Sequence, residues 1–215
     1  MKPLNYYLCF SSYRPLLFEM SKFIVEENYN HHRVVNLKII QAEIQEIFEE
    51  EINYVHSKIF LKRDEFHSII GSIRVFKWNF LSVLPLEKIF KIKLAELIKD
   101  STFSVWHIGR FAIKKGADTK GFSIFKSLLV FAINEVCHIE NSIAVAECDS
   151  KLLRILNLLG LETTILSDPI VYLGSETIPV LFTYKSLRNF LLQHSELCMG
   201  NYAELCESVV LKEIA

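Results

Sequence analysis

His107, Gly109 and Arg110 fall within one β-prone run, Thr102 to Ile113, whose other residues are mostly apolar or aromatic. A histidine changes charge near neutrality, so it can accept the proton that an ammonium must lose before it attacks as an amine. An arginine in an apolar strand needs a carboxylate partner, because an isolated buried charge is costly. Glu147 stands at the end of the next apolar run, which begins at Ser142, and is suited to accept a proton or to hold His107. His107 and Glu147 can exchange a proton or serve as satisfied strand residues, and Arg110 reads as a structural ion pair or as part of a site. Metal chemistry is not indicated, because His31, His32, His56 and His67 are scattered and lack Cys or Asp companions at ligand spacing. The five cysteines, at 9, 137, 148, 198 and 206, form no CxxC pair and read as buried thiols of a reducing compartment. No His or Asn constellation around them argues for a cysteine nucleophile.

The strand carrying His107 and Arg110 leads into a polar loop, Lys114 to Lys120, and then into a long apolar helix from Gly121 to His138. A helix N-terminus offers unpaired amides and the positive end of a dipole, which suits a phosphate. Gly116 and Gly121 let the backbone curl and approach a ligand, while Lys114, Lys115 and Lys120 add positive charge. The loop is neither GxxxxGK[ST] nor GxGxxG, so nucleotide-binding P-loop and Rossmann readings fall away.

The elements that must position these groups follow from periodicity. Tyr6–Phe10 is strand-like; helical spacing runs from Pro15 to about Glu27 and again over 37–52, where Glu43, Glu46, Glu49, Glu50 and Glu51 read as a solvated face. Residues 54–61 and 68–76 form a hairpin about Asp64-Glu65, and Pro85 to Lys99 returns to helix. A strand at 142–146 precedes a helix capped by Ser150 and stopped by Gly160. Strands near Ile165 and over 178–183, then a helical region from Ser186 onward, complete the chain, giving a sheet of six or seven strands.

With 215 residues, 51% of them hydrophobic and 23% charged, the chain can bury a large core and is not disordered. Its formal net charge of −1 gives no basic excess for coating nucleic acid. No signal peptide is read at Met1–Asn5 and no apolar run reaches the ~18 residues of a membrane span, so a cytoplasmic protein is expected. No linker or repeat divides it. The expectation is a single α/β domain over 1–215, with a core at about 55–190 and a C-terminal helical extension over 186–215.

This order of elements resembles the GNAT superfamily of acyltransferases, whose fourth strand bulges and whose following loop cradles the donor's phosphates within R/Q-x-x-G-x-G/A. The matching residues are Asp118-Thr119-Lys120-Gly121-Phe122-Ser123, with Asp118 where the family prefers Arg or Gln. The wording is most similar to the autoinducer synthase and N-acyl amino acid synthase branch. His107-Ile108-Gly109-Arg110-Phe111 sits where that branch has E-x-S/T-R-F, Lys151 to Leu161 resembles its helix ending in Leu-Gly, and Pro169 to Val180 its closing strand pair.

The resemblance implies a mixed, partly splayed central sheet with helices on both faces. It also implies acyl transfer from acyl carrier protein or coenzyme A to the amine of an amino acid or small metabolite. On it, Arg110 anchors the active-site network, and Phe111, Ala112, Ile113, Gly116, Lys120, Gly121, Phe122 and Ser123 receive the phosphopantetheine arm. Acyl-CoA or acyl-phosphopantetheine is then a co-substrate, and no tightly bound cofactor is expected. A Tyr that protonates the leaving thiol in many acetyltransferases is replaced by Leu156, with Tyr172 and Tyr184 as substitutes. Among the 16 phenylalanines, Phe111, Phe122, Phe125, Phe131 and Phe182 are candidates to line an acyl tunnel or to pack a core. Asp118 and Leu156 also fit a second reading, a GNAT-like protein that binds or senses an acyl ligand without catalysis. A third is an interaction module docking through helix 37–52 and the apolar tail Val209, Val210, Leu211 and Ile214, as a monomer or homodimer.

Overall fold

Alternating runs of helical and strand periodicity become fifteen elements in the computed structural model, which describes residues 7–10, 13–32, 37–54, 56–98, 102–119, 121–172 and 175–197. The strands are β1 (Tyr7–Phe10), β2 (Lys58–Arg63), β3 (Ile69–Lys77), β4 (Ser104–Ile113), β5 (Ser142–Asp149), β6 (Thr164–Ile165), β7 (Ile170–Tyr172) and β8 (Ser175–Phe182). The helices are α1 (Arg14–His32), α2 (Leu37–Ile52), α3 (Pro85–Phe90), α4 (Leu94–Leu97), α5 (Ser123–Cys137), α6 (Ser150–Leu158) and α7 (Tyr184–Gln193). The sheet has eight strands in the order β1-β2-β3-β4-β5-β8-β6, with β7 also paired to β8. The extra strand beyond the expected six or seven is β7, three residues long and therefore below what periodicity resolves. The sheet is mixed, since β4 and β5 run parallel while β1–β2, β5–β8, β6–β8 and β7–β8 are antiparallel.

Two features of β4 bear on the site. Its parallel register with β5 runs from Ser104↔Ser142 to His107↔Val145 and stops there, although β4 continues to Ile113. Three residues later Arg110 takes φ +52°, a left-handed conformation that side chains other than Gly rarely adopt, so the strand is locally bulged.

The chain divides into two compact units, Met1–Arg74 with Arg110–Ala132 and Ser195–Ala215, and Val75–Gly109 with Ile133–His194. In the first, Leu17 and Met20 of α1 pack with Ile59, Leu61 and Ile69 of the β2–β3 hairpin, and Val25 packs with Ile44 and Ile47 of α2. Phe60 stacks on Phe131 at 5.4 Å. Gly71 lets α5 lie close on β3: a Cβ there would stand 2.9 Å from Leu128 Cδ1 and 3.1 Å from Ile124 Cγ2. In the second unit Val105, Val136, Ala144, Val145 and Val180 are almost wholly buried, as are Leu187 and Phe190 on the inner stripe of α7.

Several local expectations need correction. The helix expected over 85–99 is two short ones, because Lys91 adopts φ +53° and ends α3. Asp149, rather than Ser150, caps α6: its carboxylate accepts the Leu152 amide at 2.6 Å. The strand expected from Tyr54 begins at Lys58, since the Ser57 amide donates to the Tyr54 carbonyl and closes a turn. The acidic run of α2 is not wholly solvated: Glu51 is buried, and Glu43 and Glu50 are half-buried. Gly160, at φ +82°, ends α6 as expected. The part of the expected helical extension beyond residue 197, with Cys198, Cys206, Val209, Val210, Leu211 and Ile214, lies outside the described residues, as do the side chains of Cys9, His31 and His32.

Candidate active site

In a parallel pair, residues in register share a face, and so do residues two apart along one strand. His107 is in register with Val145, so Glu147 follows on the same side one step along β5. The His107 Nε2 stands 3.0 Å and 3.1 Å from the two Glu147 carboxylate oxygens. The imidazole stacks on Phe76 at 5.2 Å between ring centroids, with 30° between planes. His107 is 1% exposed and the Glu147 side chain 12%. Facing an ionised carboxylate, Nε2 must carry a proton, which leaves Nδ1 as the basic nitrogen of the neutral ring. Protonation at Nδ1 then produces an imidazolium whose charge Glu147 balances. Sequence pattern alone named both residues, and the structure brings them together.

Arg110 belongs to a different arrangement. Its Nε donates to Glu51 Oε1 at 2.8 Å, and Nη2 donates to Glu50 Oε2. The same Glu51 oxygen accepts from Nη1 of buried Arg74 at 2.9 Å, and the Arg74 guanidinium lies 4.6 Å over the Tyr54 ring. Ser72 Oγ donates to the Arg110 carbonyl at 2.8 Å, tying the bulged backbone to β3. Burial first, then the Glu50 charge, pushes the Tyr54 hydroxyl up to about 12.

A carboxylate partner for Arg110 was expected, but Glu50, Glu51 and Arg74 were not singled out. One signal was present: Ile44, Ile47 and Glu51 lie on one helical stripe at spacings of three and four, so Glu51 continues the buried face of α2. Arg74, between Ile73 and Val75, poses the same unpaired-charge problem as Arg110.

The loop after β4 is held by its own polymer. The Lys114 amide donates to the Ile70 carbonyl at 3.0 Å, and the Lys115 amide to Oε2 of buried Glu27 on α1 at 3.0 Å. Asp118 Oδ2 accepts the Phe125 amide at 2.9 Å, placing a resident carboxylate on the first turn of α5. Ser123 Oγ reaches Asp118 Oδ1 at 3.5 Å. Gly116 and Gly121, at φ +81° and +60°, are needed for conformation rather than clearance, because a Cβ at either would meet nothing within 4 Å. Phe122 follows at φ +60° and is 46% exposed, its ring 5.9 Å from that of Phe125, which in turn meets Phe111 edge-on at 4.8 Å. Ala112 and Ile113 are half-buried, and Lys120 lies outside the described residues.

Of the other aromatic candidates, Phe125, Phe131 and Phe182 are core residues. Leu156 is buried, Tyr172 is 39% exposed on β7, and Tyr184 opens α7. Burial raises the Cys137 thiol to about 11 and the Cys148 thiol to about 12, so both are protonated at neutral pH and poorly nucleophilic. No helix among the described residues is long and apolar enough to cross a membrane.

No protein-family model matches the sequence, and no curated protein does. Solved structures share its architecture. FeeM, an N-acyl amino acid synthase from uncultured soil microbes, superposes with TM-score 0.62 at 17% identity, over 90% of this chain and 100% of FeeM. BjaI, a CoA-dependent acyl-homoserine lactone synthase solved with SAM and isopentyl-CoA, gives 0.60 at 10% identity, over 92% of this chain and 91% of BjaI. FdhC, a nucleotide-linked sugar GNAT, gives 0.54 at 11% identity, over 90% of this chain and 95% of FdhC. At such identities the likeness is one of fold: a mixed α/β sheet with helices on both sides, the GNAT architecture expected from the order of elements.

Proposed function

We propose that the protein is an N-acyltransferase that moves an acyl group from a thioester to the amine of an amino acid or small metabolite. The His107–Glu147 pair carries this reading: a buried imidazole, oriented by a carboxylate at 3.0 Å, on a strand whose pairing with its parallel neighbour ends at that residue. The fold shared with acyl-transferring synthases supports it.

The amine attacks the thioester carbonyl, His107 Nδ1 takes the proton released from nitrogen, and the C–S bond breaks as the tetrahedral intermediate collapses. The thiolate then recovers a proton from the imidazolium, so an amide and a free thiol are the products. Glu147 holds the ring and balances its transient charge. No protein nucleophile is needed, in keeping with the protonated thiols of Cys137 and Cys148. Arg110, with Glu50 and Glu51, fixes the bulged half of β4, along which Phe111, Ala112 and Ile113 offer backbone groups to the pantetheine arm. Gly116, Lys120, Gly121, Phe122 and Ser123 complete that donor loop.

Asp118 decides between donors. A carboxylate already on the α5 amides disfavours a pyrophosphate there, so acyl carrier protein is the preferred donor over free acyl-CoA. The same residue favours a second reading, an acyl-ligand binding protein without turnover. A panel of acyl carrier protein and acyl-CoA thioesters crossed with amines, followed by thiol release, separates the two. Amine-dependent release that falls at least tenfold in His107→Gln supports the enzyme; retained ligand without release under any amine supports the binder.

A further inference from the structure

The segment joining β3 to α3 places large apolar side chains in water. Leu81 is 90% exposed, Val83 55% and Phe80 50%, and they are neighbours along the chain. Soluble surfaces carry single exposed apolar residues routinely, but three within four positions at one tip require an explanation.

The tip is built rather than slack. Asn79 Oδ1 accepts the Leu81 amide at 2.9 Å, and the Ser82 amide and hydroxyl at 3.0 Å each. Trp78, itself buried, donates from Nε1 to the Ser82 carbonyl at 2.6 Å, and its ring lies 4.4 Å from that of Phe80. Phe80 is held at φ +61°, a conformation unfavourable for an aromatic residue. The polar groups of the turn are thus consumed internally while the apolar ones face outward.

Beside the tip in sequence the exposed charges are mostly lysines. Lys77, Lys88, Lys91 and Lys93 flank it and are exposed. The acidic residue within that stretch, Glu87, is turned inward, accepting the Leu84 amide at 3.0 Å and the Leu94 amide at 2.9 Å. Glu96, just beyond, meets Lys93 at 3.1 Å. An apolar tip with exposed lysines on either side of it in sequence fits a surface that is negatively charged outside and hydrocarbon within.

We propose that the loop 78–84 is a membrane-surface anchor, with Phe80, Leu81 and Val83 entering the acyl region of an anionic bilayer while Lys77, Lys88 and Lys91 meet its headgroups. The protein is then peripheral, touching lipid through one loop.

Flotation of the full chain with vesicles of phosphatidylcholine alone, or containing 30–40% (roughly the anionic fraction that sets a usable surface potential) phosphatidylglycerol, tests this. Binding to anionic vesicles at least tenfold tighter than to neutral ones is expected, together with a loss of at least tenfold in Leu81→Asp. Because residue 81 is almost fully exposed, that variant keeps its circular dichroism and melting temperature. Lys88→Glu combined with Lys91→Glu is expected to weaken binding to anionic vesicles and leave neutral ones unaffected. Failure to float with anionic vesicles, or equal flotation of Leu81→Asp, overturns the proposal. A dimer that Leu81→Asp dissociates, without vesicle binding by the parent chain, also overturns it and assigns the tip to a second copy. None of these readouts depends on acyl transfer.

Discussion

Two sets of charges on β4, three residues apart in sequence, have opposite characters. Arg110 enters a network of two arginines and two carboxylates, in which Glu51 Oε1 serves both guanidinium groups at 2.8–2.9 Å. His107 faces the Glu147 carboxylate and stacks on the Phe76 ring. A guanidinium stays charged at every physiological pH, so the first set holds its ionisation and can only position. An imidazole beside a carboxylate has two available charge states, so the second can exchange a proton.

The largest effect separating the two is on stability. Glu51→Ala removes the acceptor shared by buried Arg74 and by Arg110, which keeps Glu50, and should cost about 3–5 kcal/mol in denaturant unfolding. Glu51→Gln should retain part of that loss, because the amide oxygen still accepts. His107→Gln should instead leave unfolding within about 1–2 kcal/mol of the parent and lower thiol release by about 10²–10⁴-fold. A Glu51→Ala protein as stable as the parent would break the comparison.

Glu147→Gln sharpens it. Loss of the carboxylate removes what orients the ring and balances the imidazolium, so thiol release should fall, by less than in His107→Gln. Asp118→Gln should lower KM for an acyl-CoA donor about two- to fivefold, the size of one charge at a helix end, and leave KM for acyl carrier protein nearly unchanged.

The smallest effect is alkaline. Cys148 and Tyr54 are raised to about 12 from 9.0 and 10.0 by burial. A raised folded-state pKa stabilises below the unfolded value and loses that contribution as pH climbs through the folded one. Stability should therefore decline between about pH 9 and 12, and iodoacetamide at pH 8 should label Cys137 and Cys148 on unfolding but not in the native protein.

The architecture was legible because strand and helix periods differ sharply along this chain, and because the order of elements resembled one superfamily. His107, Arg110 and Glu147 stood out as polar residues in apolar strands. Their sorting into two networks did not, since Glu50 and Glu51 are separated from Arg110 by 60 and 59 positions, and pairing over such distances is decided by the fold. The role of Asp118 was also hidden. Its identity departs from the family's pattern in sequence, but only the loop's path shows it aimed at the Phe125 amide. β7 and the break at Lys91 were missed because three residues are too few to register a period and a lysine in a left-handed conformation carries no compositional mark.

The kink at Arg110 makes irreconcilable demands on one codon. Its backbone, at φ +52°, would be most comfortable with glycine, and its side chain answers to Glu50 and Glu51. Arg110→Gly relaxes the first demand and abandons the second, Arg110→Lys does the reverse only in part, and Arg110→Val fails both. Substitutions here should therefore rank by two scales at once, with no replacement matching the parent, so the position leaves evolution almost no room for drift.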